Sequence, residues 1–547
     1  MRMGFLAVAA CLIAPMTGIA ADPPIVFQVQ PAGRLLGDVR SVVKMVGGEN
    51  AVNEFNDKLK EHLGEKEFEG LDLVRPILGY VVLDGELEDV VAVLAVPVTG
   101  EKEFLDLMER FNIAKPKSEE KGLYEIPISD AEGEEKGKVL MRFEAQHAYI
   151  AIGKDPKAAL NPKTLVPPSK LFDPTEKSLA SVKVHFDRLP KEIREQITEG
   201  LKGIKTKLDD LHLPADASEP ARKAVDELIN LGNRYADLLQ DAETAAARVL
   251  LDINTGEAAI EIGLTGKQGS KLAKSIAARL PSTNKFAGLI TPDTALGLKL
   301  QLPLFAKEIQ NAAVIGLEAG QKTLPENAPP QFKALINETF KGLTRTVNDG
   351  EFDLAVSLRG PDKNGLYTVV GAVAFEDPSG LEKELRTLFK TELPPMYRTF
   401  FNLDVAKVGK TNIHQVKVGG FLPPEVQKIF GEEASVTFAF APNGIFIAFG
   451  PDAVNTLKAA LEVKKGPSPV FEIMVNPNRV GKLLVAAIGK DVPMELSNQD
   501  KLFSALALSI EGGKELRFRL STNLKLFEGV GSFAAPAFGA KPVEKKD

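Results

Sequence analysis

Two periodicities alternate along the chain. Where apolar residues recur at every second position a strand is predicted, and where they recur every three or four positions a helix is predicted. Strands open four comparable stretches: Ile25 to Gln30, Val182 to Asp187, Leu298 to Pro303 and Val470 to Val475. Each runs into a helical segment, as in Asn478-Arg479-Val480-Gly481-Lys482-Leu483-Leu484. A hairpin then follows. The pairs are Leu78 to Leu83 with Val90 to Val96, Arg248 to Asn254 with Glu257 to Leu264, Phe352 to Leu358 with Tyr367 to Phe375, and Ala505 to Ile510 with Glu515 to Leu520. Asn254-Thr255-Gly256 and Glu511-Gly512-Gly513 supply the turn glycines. Amphipathic helices come next, at Phe104 to Phe111, Leu272 to Leu280 and Leu381 to Phe389. Further strands, Tyr124 to Ile128 and Ile413 to Val418, follow the first and third hairpins. The order β-α-β-β-α-β suggests ferredoxin-like units, with Ala221 to Leu239 as an added helix.

Some of these segments repeat. Arg142-Phe143-Glu144-Ala145-Gln146-His147-Ala148-Tyr149-Ile150-Ala151-Ile152-Gly153 aligns without gaps on Ala439-Phe440-Ala441-Pro442-Asn443-Gly444-Ile445-Phe446-Ile447-Ala448-Phe449-Gly450. Each reads as two strands around a tight turn. Pro442-Asn443-Gly444 is turn chemistry, so His147, opposite Gly444, is expected to fill a turn position that tolerates positive φ. A Pro-rich linker at Asn161 to Lys177 has a counterpart at Lys464 to Pro469. The expected fold is therefore α+β: a tandem duplication of an antiparallel-sheet architecture, with ferredoxin-like β-α-β-β-α-β units and helices packed on the sheets. The halves are 21–284 and 285–530, each a long, a short and a long unit. A tail at 531–547 is expected to be disordered.

The N-terminus carries an address. Arg2 precedes an apolar run from Gly4 to Ile13, and Gly18 and Ala20 place small residues before a cut at Ala21. That is the layout of a signal peptide over 1–20, so the chain is expected to be exported to the periplasm or beyond. No later stretch reaches the ~18 apolar residues of a transmembrane helix. Cys11 is the one cysteine, so cleavage leaves a mature chain without disulfides or thiolate chemistry.

Charge and composition narrow the partners. With 67 basic and 74 acidic residues the net charge is −7, which argues against nucleic acid and anionic membranes. There is no Trp and there are six Tyr, too few for the aromatic platforms on which sugars stack.

Candidate chemistry is sparse. The five histidines are His62, His147, His185, His212 and His414, and none is spaced from another as metal ligands are. His185 shares an outer strand face with Lys183 and Asp187; His185 with Asp187 is one candidate base and orienter, though i and i+2 neighbours on a strand face more commonly form ion pairs. Ser118-Glu119-Glu120-Lys121 and Ser282-Thr283-Asn284-Lys285 match Ser-x-x-Lys without the flanking motifs of a serine nucleophile. Gly263 to Lys271 is Gly-rich but lacks P-loop spacing. Asp130, Glu132, Glu134 and Glu135 lack the spacing of an EF-hand. No catalytic, cofactor-binding or metal residue is assigned, and no cofactor is expected.

The strand-to-helix passage Val93-Leu94-Ala95-Val96-Pro97 into Phe104-Leu105, with the hairpin ending Tyr149-Ile150-Ala151-Ile152-Gly153, resembles a class of exported proteins of planctomycete-type bacteria built on a domain of unknown function. The resemblance implies no activity and carries over no functional residue. The expected role is a non-catalytic one, binding or structural, in the cell envelope or periplasm, with a protein or envelope component as partner. An exported hydrolase-type enzyme and a carrier of an apolar ligand are the alternatives.

Overall fold

The computed structural model describes residues 22–83, 90–111, 116–120, 122–129, 135–209, 238–279, 282–303, 310–311, 314–318, 330–348, 351–391, 399–488 and 506–524, with a few isolated positions between them. The expectations for 1–20, for most of 221–239, for His212, for Asp130 to Glu134 and for the tail lie outside these residues. The protein mixes helix with antiparallel sheet and forms two compact units. Among the described residues, unit 1 holds 22–200 and 242–267, and unit 2 holds 201–209, 238–241 and those from 268 to 524. Residues 268–284 pack with unit 2, although they precede the boundary that the sequence suggests.

Unit 1 carries β1 (Ile25–Val29), β2 (Ile77–Leu83), β3 (Val90–Pro97), β4 (Lys117–Glu120), β5 (Leu123–Ser129), β6 (Glu135–Glu144), β7 (His147–Gly153), β8 (Ala180–His185), β9 (Ala242–Asp252) and β10 (Glu257–Gly266). Its helices include α1 (Ala32–Leu63) and α2 (Glu101–Arg110). Neighbouring strands run β4-β5-β6-β7-β3-β2-β1-β8-β9-β10, every pair antiparallel. The ferredoxin-like order is thereby corrected. That order runs β1 beside β3, but here β1 lies between β2 and β8, antiparallel to both. The connection from β1 to β2 is helix broken at Gly48 (φ 73), not the single crossover helix that sets strands parallel.

Strands β2, β3 and β7 are apolar on both faces, and each face is covered in large part, although Leu94 of β3 stays 40% exposed. Leu78, Tyr80, Val93 and Tyr149 pack against Leu160, Val166 and Leu171. Val96, Ala148 and Met141 pack against Phe104, Leu107 and Met108 of α2. Each of these large side chains contributes roughly 1.5–3 kcal/mol by leaving water. The Pro-rich stretch 161–177 is therefore a covering layer within one unit rather than a free linker. The backbone N–H of Val166 donates to the Tyr80 hydroxyl at 3.4 Å.

Unit 2 carries β11 (Ser282–Asn284), β12 (Thr294–Pro303), β13 (Glu351–Arg359), β14 (Thr368–Val373), β15 (Phe401–Val408), β16 (Thr411–Lys417), β17 (Ser435–Ala441), β18 (Gly444–Gly450), β19 (Gly466–Ser468), β20 (Phe471–Val475), β21 (Leu506–Glu511) and β22 (Leu516–Asn523). Helices α3 (Lys271–Ala277), α4 (Pro330–Asn348), α5 (Ser379–Thr391), α6 (Ala453–Leu461) and α7 (Pro477–Ile488) accompany them. The order is β15-β16-β17-β18-β14-β13-β12-β20-β21-β22, again all antiparallel. The second proposed linker is also structured, since its strand β19 pairs with β11.

The β6–β7 hairpin corrects the role expected of His147. Ala145 (φ 47) and Gln146 (φ 58) take the left-handed conformations of a two-residue turn. His147 is the first residue of β7, buried, with Nδ1 2.9 Å from the Ala145 carbonyl oxygen. Its counterpart Gly444 needs no positive φ. A Cβ there would lie 2.4 Å from the Val373 carbonyl oxygen and 2.9 Å from Phe286.

Candidate functional site

Helix α5 brings Glu382 and Arg386 to one face, one helical turn apart. Strand β15 brings Asp404. Its ladder with β16 shifts between Asn402 and Ala406, a bulge in which Asp404 adopts φ 55. Strand β16 brings His414, which the alternation of Ile413 and His414 turns to the face opposite the main core.

These four side chains meet. The Arg386 guanidinium donates to Glu382 at 2.6 Å and to Asp404 at 2.8 Å. The Asp404 backbone N–H donates to His414 Nδ1 at 3.2 Å, and Asn412 donates to Glu382 at 3.4 Å. His414 Nε2 lies 3.4 Å from Glu382 and has no hydrogen-bond partner. The ring is fully buried, with Phe438 at 5.4 Å and Phe440 at 6.3 Å between ring centres.

Electrostatics follow from this packing. Burial, and then the neighbouring Arg386, hold the His414 imidazole below its ordinary range. The hydrogen bond from Arg386 holds the Asp404 carboxyl below the usual carboxylate range. Glu382, Asp404 and His414 offer ligand atoms within 4.8 Å of one another. The Arg386 guanidinium, however, already bridges the two carboxylates, and the Nδ1 lone pair is already taken by a backbone N–H. The arrangement is built to hold a proton and a guanidinium.

Unit 1 has a related contact. Tyr124 stands opposite Met141 in the ladder, as His414 stands opposite Phe438. Its hydroxyl donates to Glu101 in the first turn of α2, and its ring meets Phe143 edge-on at 5.7 Å. Phe143 aligns with Phe440 in the sequence. Each unit thus sets a helix glutamate against the ring at this strand position.

A second feature lies on the outer strands, where the usual polarity of a sheet is reversed. Gln28, Ser181, Arg248 and Glu261 form one cross-strand row over β1, β8, β9 and β10. Gln28, Ser181 and Glu261 are buried, and Arg248 is nearly so. Segment 173–178 covers the row. Gln28 exchanges two hydrogen bonds with the Asp173 backbone, at 2.9 and 3.1 Å, and Arg248 pairs with Glu176 at 3.1 Å. On the other face, Val249, Ile260 and Ile262 are 45, 55 and 56% exposed. Unit 2 repeats the pattern. Lys299, Glu472, Ser509 and Arg519 form the row, and Leu508, Phe518 and Leu520 are 40, 42 and 52% exposed.

The other sequence candidates do not converge. His185 ends β8 half-buried, on the covered face that carries Ser181 and Lys183, so its expected outer placement is corrected. Lys183 pairs with Asp173 at 3.0 Å, and Asp187 lies beyond the strand in a 3-10 turn. His62 is exposed on α1, with Nδ1 2.8 Å from the Lys58 carbonyl oxygen. Ser118 lies on the exposed strand β4. Asn284, in the other Ser-x-x-Lys match, is buried, with its Oδ1 accepting from the Phe286 N–H at 2.8 Å. Ser270, after the Gly-rich stretch, caps α3.

The site at His414 escaped sequence reading because its members are far apart in the chain. The available signal was the Glu382–Arg386 helical pair, together with the broken alternation around Asp404. No protein-family model matches the chain, and no curated protein or solved structure matches it.

Proposed function

We propose that this protein is an exported, non-catalytic binding protein of the cell envelope or periplasm, built as a tandem duplication. Its working surfaces are the apolar strips on the outer strands. One observation carries this reading: at matching ladder positions both units turn polar and charged side chains to the more covered face and expose aliphatic or aromatic ones. Ile262 pairs with Ala247 as Leu520 pairs with Leu508. Exposed contiguous apolar surface is a hallmark of interaction sites. The identical strand order of the two ladders, and the common register of Tyr149 with Ala95 and of Phe446 with Ala372, support the duplication. The signal-like N-terminus and the resemblance to planctomycete-type exported proteins support export.

The test is titration of the mature protein with an apolar fluorescent probe and with phospholipid vesicles. Ile260→Glu/Ile262→Glu and Phe518→Glu/Leu520→Glu should each lose roughly half the binding while keeping the circular dichroism spectrum. Undiminished binding in the folded quadruple variant refutes the reading. Vesicle binding alone would favour an envelope anchor, and binding of the free probe alone would favour a carrier of an apolar ligand.

A further inference from the structure

We propose that His414 is a proton-operated latch. When neutral it holds the β15 bulge closed against β16 and α5, and when charged it releases it. The argument starts from which ring nitrogen is engaged. Nδ1 accepts the Asp404 N–H at 3.2 Å, so in the neutral ring the proton sits on Nε2. Nε2 faces Glu382 Oε1 at 3.4 Å without a formed hydrogen bond. A second proton can enter only at Nδ1. Two donors, Nδ1–H and the Asp404 N–H, would then face each other at hydrogen-bond distance, while the Asp404 Oδ1 3.8 Å from Nδ1 offers the new proton an acceptor, so the Asp404 backbone must shift away from the ring.

The ring cannot move easily. It is fully buried, walled by Phe438 and Phe440, and β16 is paired on both sides. Strand β15 can. Among the described residues it pairs only with β16, it already carries the bulge, and Asp404 is held in the sparsely populated left-handed region.

The charged neighbours set the direction. Glu382 and Arg386 face the ring from α5. Asp404 faces it from β15, with Lys407 further along that strand, and β16 adds the neutral Asn412. Strand β17 contributes only Phe438 and Phe440, and α6 packs on the opposite face, where Leu457 shares a core with Ile413. With the imidazole neutral, two carboxylates and one guanidinium leave one net negative charge. Charging the ring cancels it, so the protonated state has a counter-charge in place. Burial, and then Arg386, lower the pH at which the ring takes up its second proton.

The test measures hydrogen exchange of peptides spanning 401–408 and 411–417 in the full mature chain from pH 8 to pH 4.5, corrected for intrinsic rates. The His414 ring is titrated in parallel by NMR. Protection over 401–408 should fall about tenfold in step with the His414 titration while 411–417 holds. In His414→Gln the amide oxygen can accept the same N–H but cannot be charged, so protection should persist at pH 5. Unchanged protection across the wild-type His414 titration overturns the latch, as does an equal step in His414→Gln. If that variant fails to fold, the two wild-type curves decide alone.

Discussion

Arg248 and Glu261 stand directly opposite one another across β9 and β10, on the covered face of the sheet. Aliphatic Val249 and Ile260, one residue along each strand and also paired, face outward. This inversion of the usual arrangement makes the first prediction. Arg248→Met leaves the Glu176 carboxylate without its guanidinium partner, and should cost about 3–5 kcal/mol, the range for an uncompensated buried charge. Glu176→Gln should cost less, because the amide oxygen can still accept from Arg248 Nε and no carboxylate is left uncompensated. Denaturant unfolding of both variants checks the order.

Gly444 is placed by space rather than by φ. Gly444→Ala drives a methyl group toward the Val373 carbonyl oxygen and the Phe286 ring, and should destabilise by about 1–3 kcal/mol, as overpacking does. His147→Ala, at the aligned position of unit 1, removes atoms instead and should cost less. Thermal unfolding of the two variants distinguishes crowding from loss of packing.

Acid should weaken the fold through its buried imidazoles. Burial holds His147, His185 and His414 below the ordinary histidine value of 6.5. The folded chain therefore binds fewer protons at these rings than the unfolded chain does. Stability should hold above pH 6.5 and decline as pH falls through it, until the folded rings themselves titrate. Denaturant midpoints from pH 8 to pH 5 test the slope, and His185→Gln should flatten it.

A second loss belongs to Asp173. The Thr175 hydroxyl, helped by Lys183, pulls its carboxyl from 3.8 down to about 2. A depressed carboxylate stabilises the fold above its unfolded value, and that support is lost as pH falls from 3.8 toward 2. Thr175→Ala should narrow this window, and carboxyl NMR titration reads it directly.

Export is tested at the N-terminus. Expressed with its first twenty residues in a Gram-negative host, the chain should be recovered from the periplasm or medium beginning at Ala21. A soluble product that retains Met1 overturns the assignment.

Much of the fold was legible because strands announce themselves locally. Strands β1, β8, β12 and β20 and the four hairpins all fall where alternation and turn residues place them. The neighbours of β1 were not legible, since a long helical connection carries no register and Gly48 gives only a weak sign of the break. Alternation also said which residues share a face without saying which face is covered. Alternation therefore points Lys183 and His185 outward, whereas Asp173 pairs with Lys183 and His185 is half-buried. The His414 site depends on a bulge and on three elements that meet only in the folded unit.

The reversed polarity of the outer strands also bears on the choice of register. A one-residue slip of β10 would turn Ile260 and Ile262 inward and release Glu261 to water, the arrangement hydrophobic collapse alone favours. The covering segment counts against the slipped arrangement, because in the native register Asp173 receives Gln28 and Lys183 while Glu176 receives Arg248 of β9. The proline-rich segment of unit 1 therefore helps to set the register of the strands it covers.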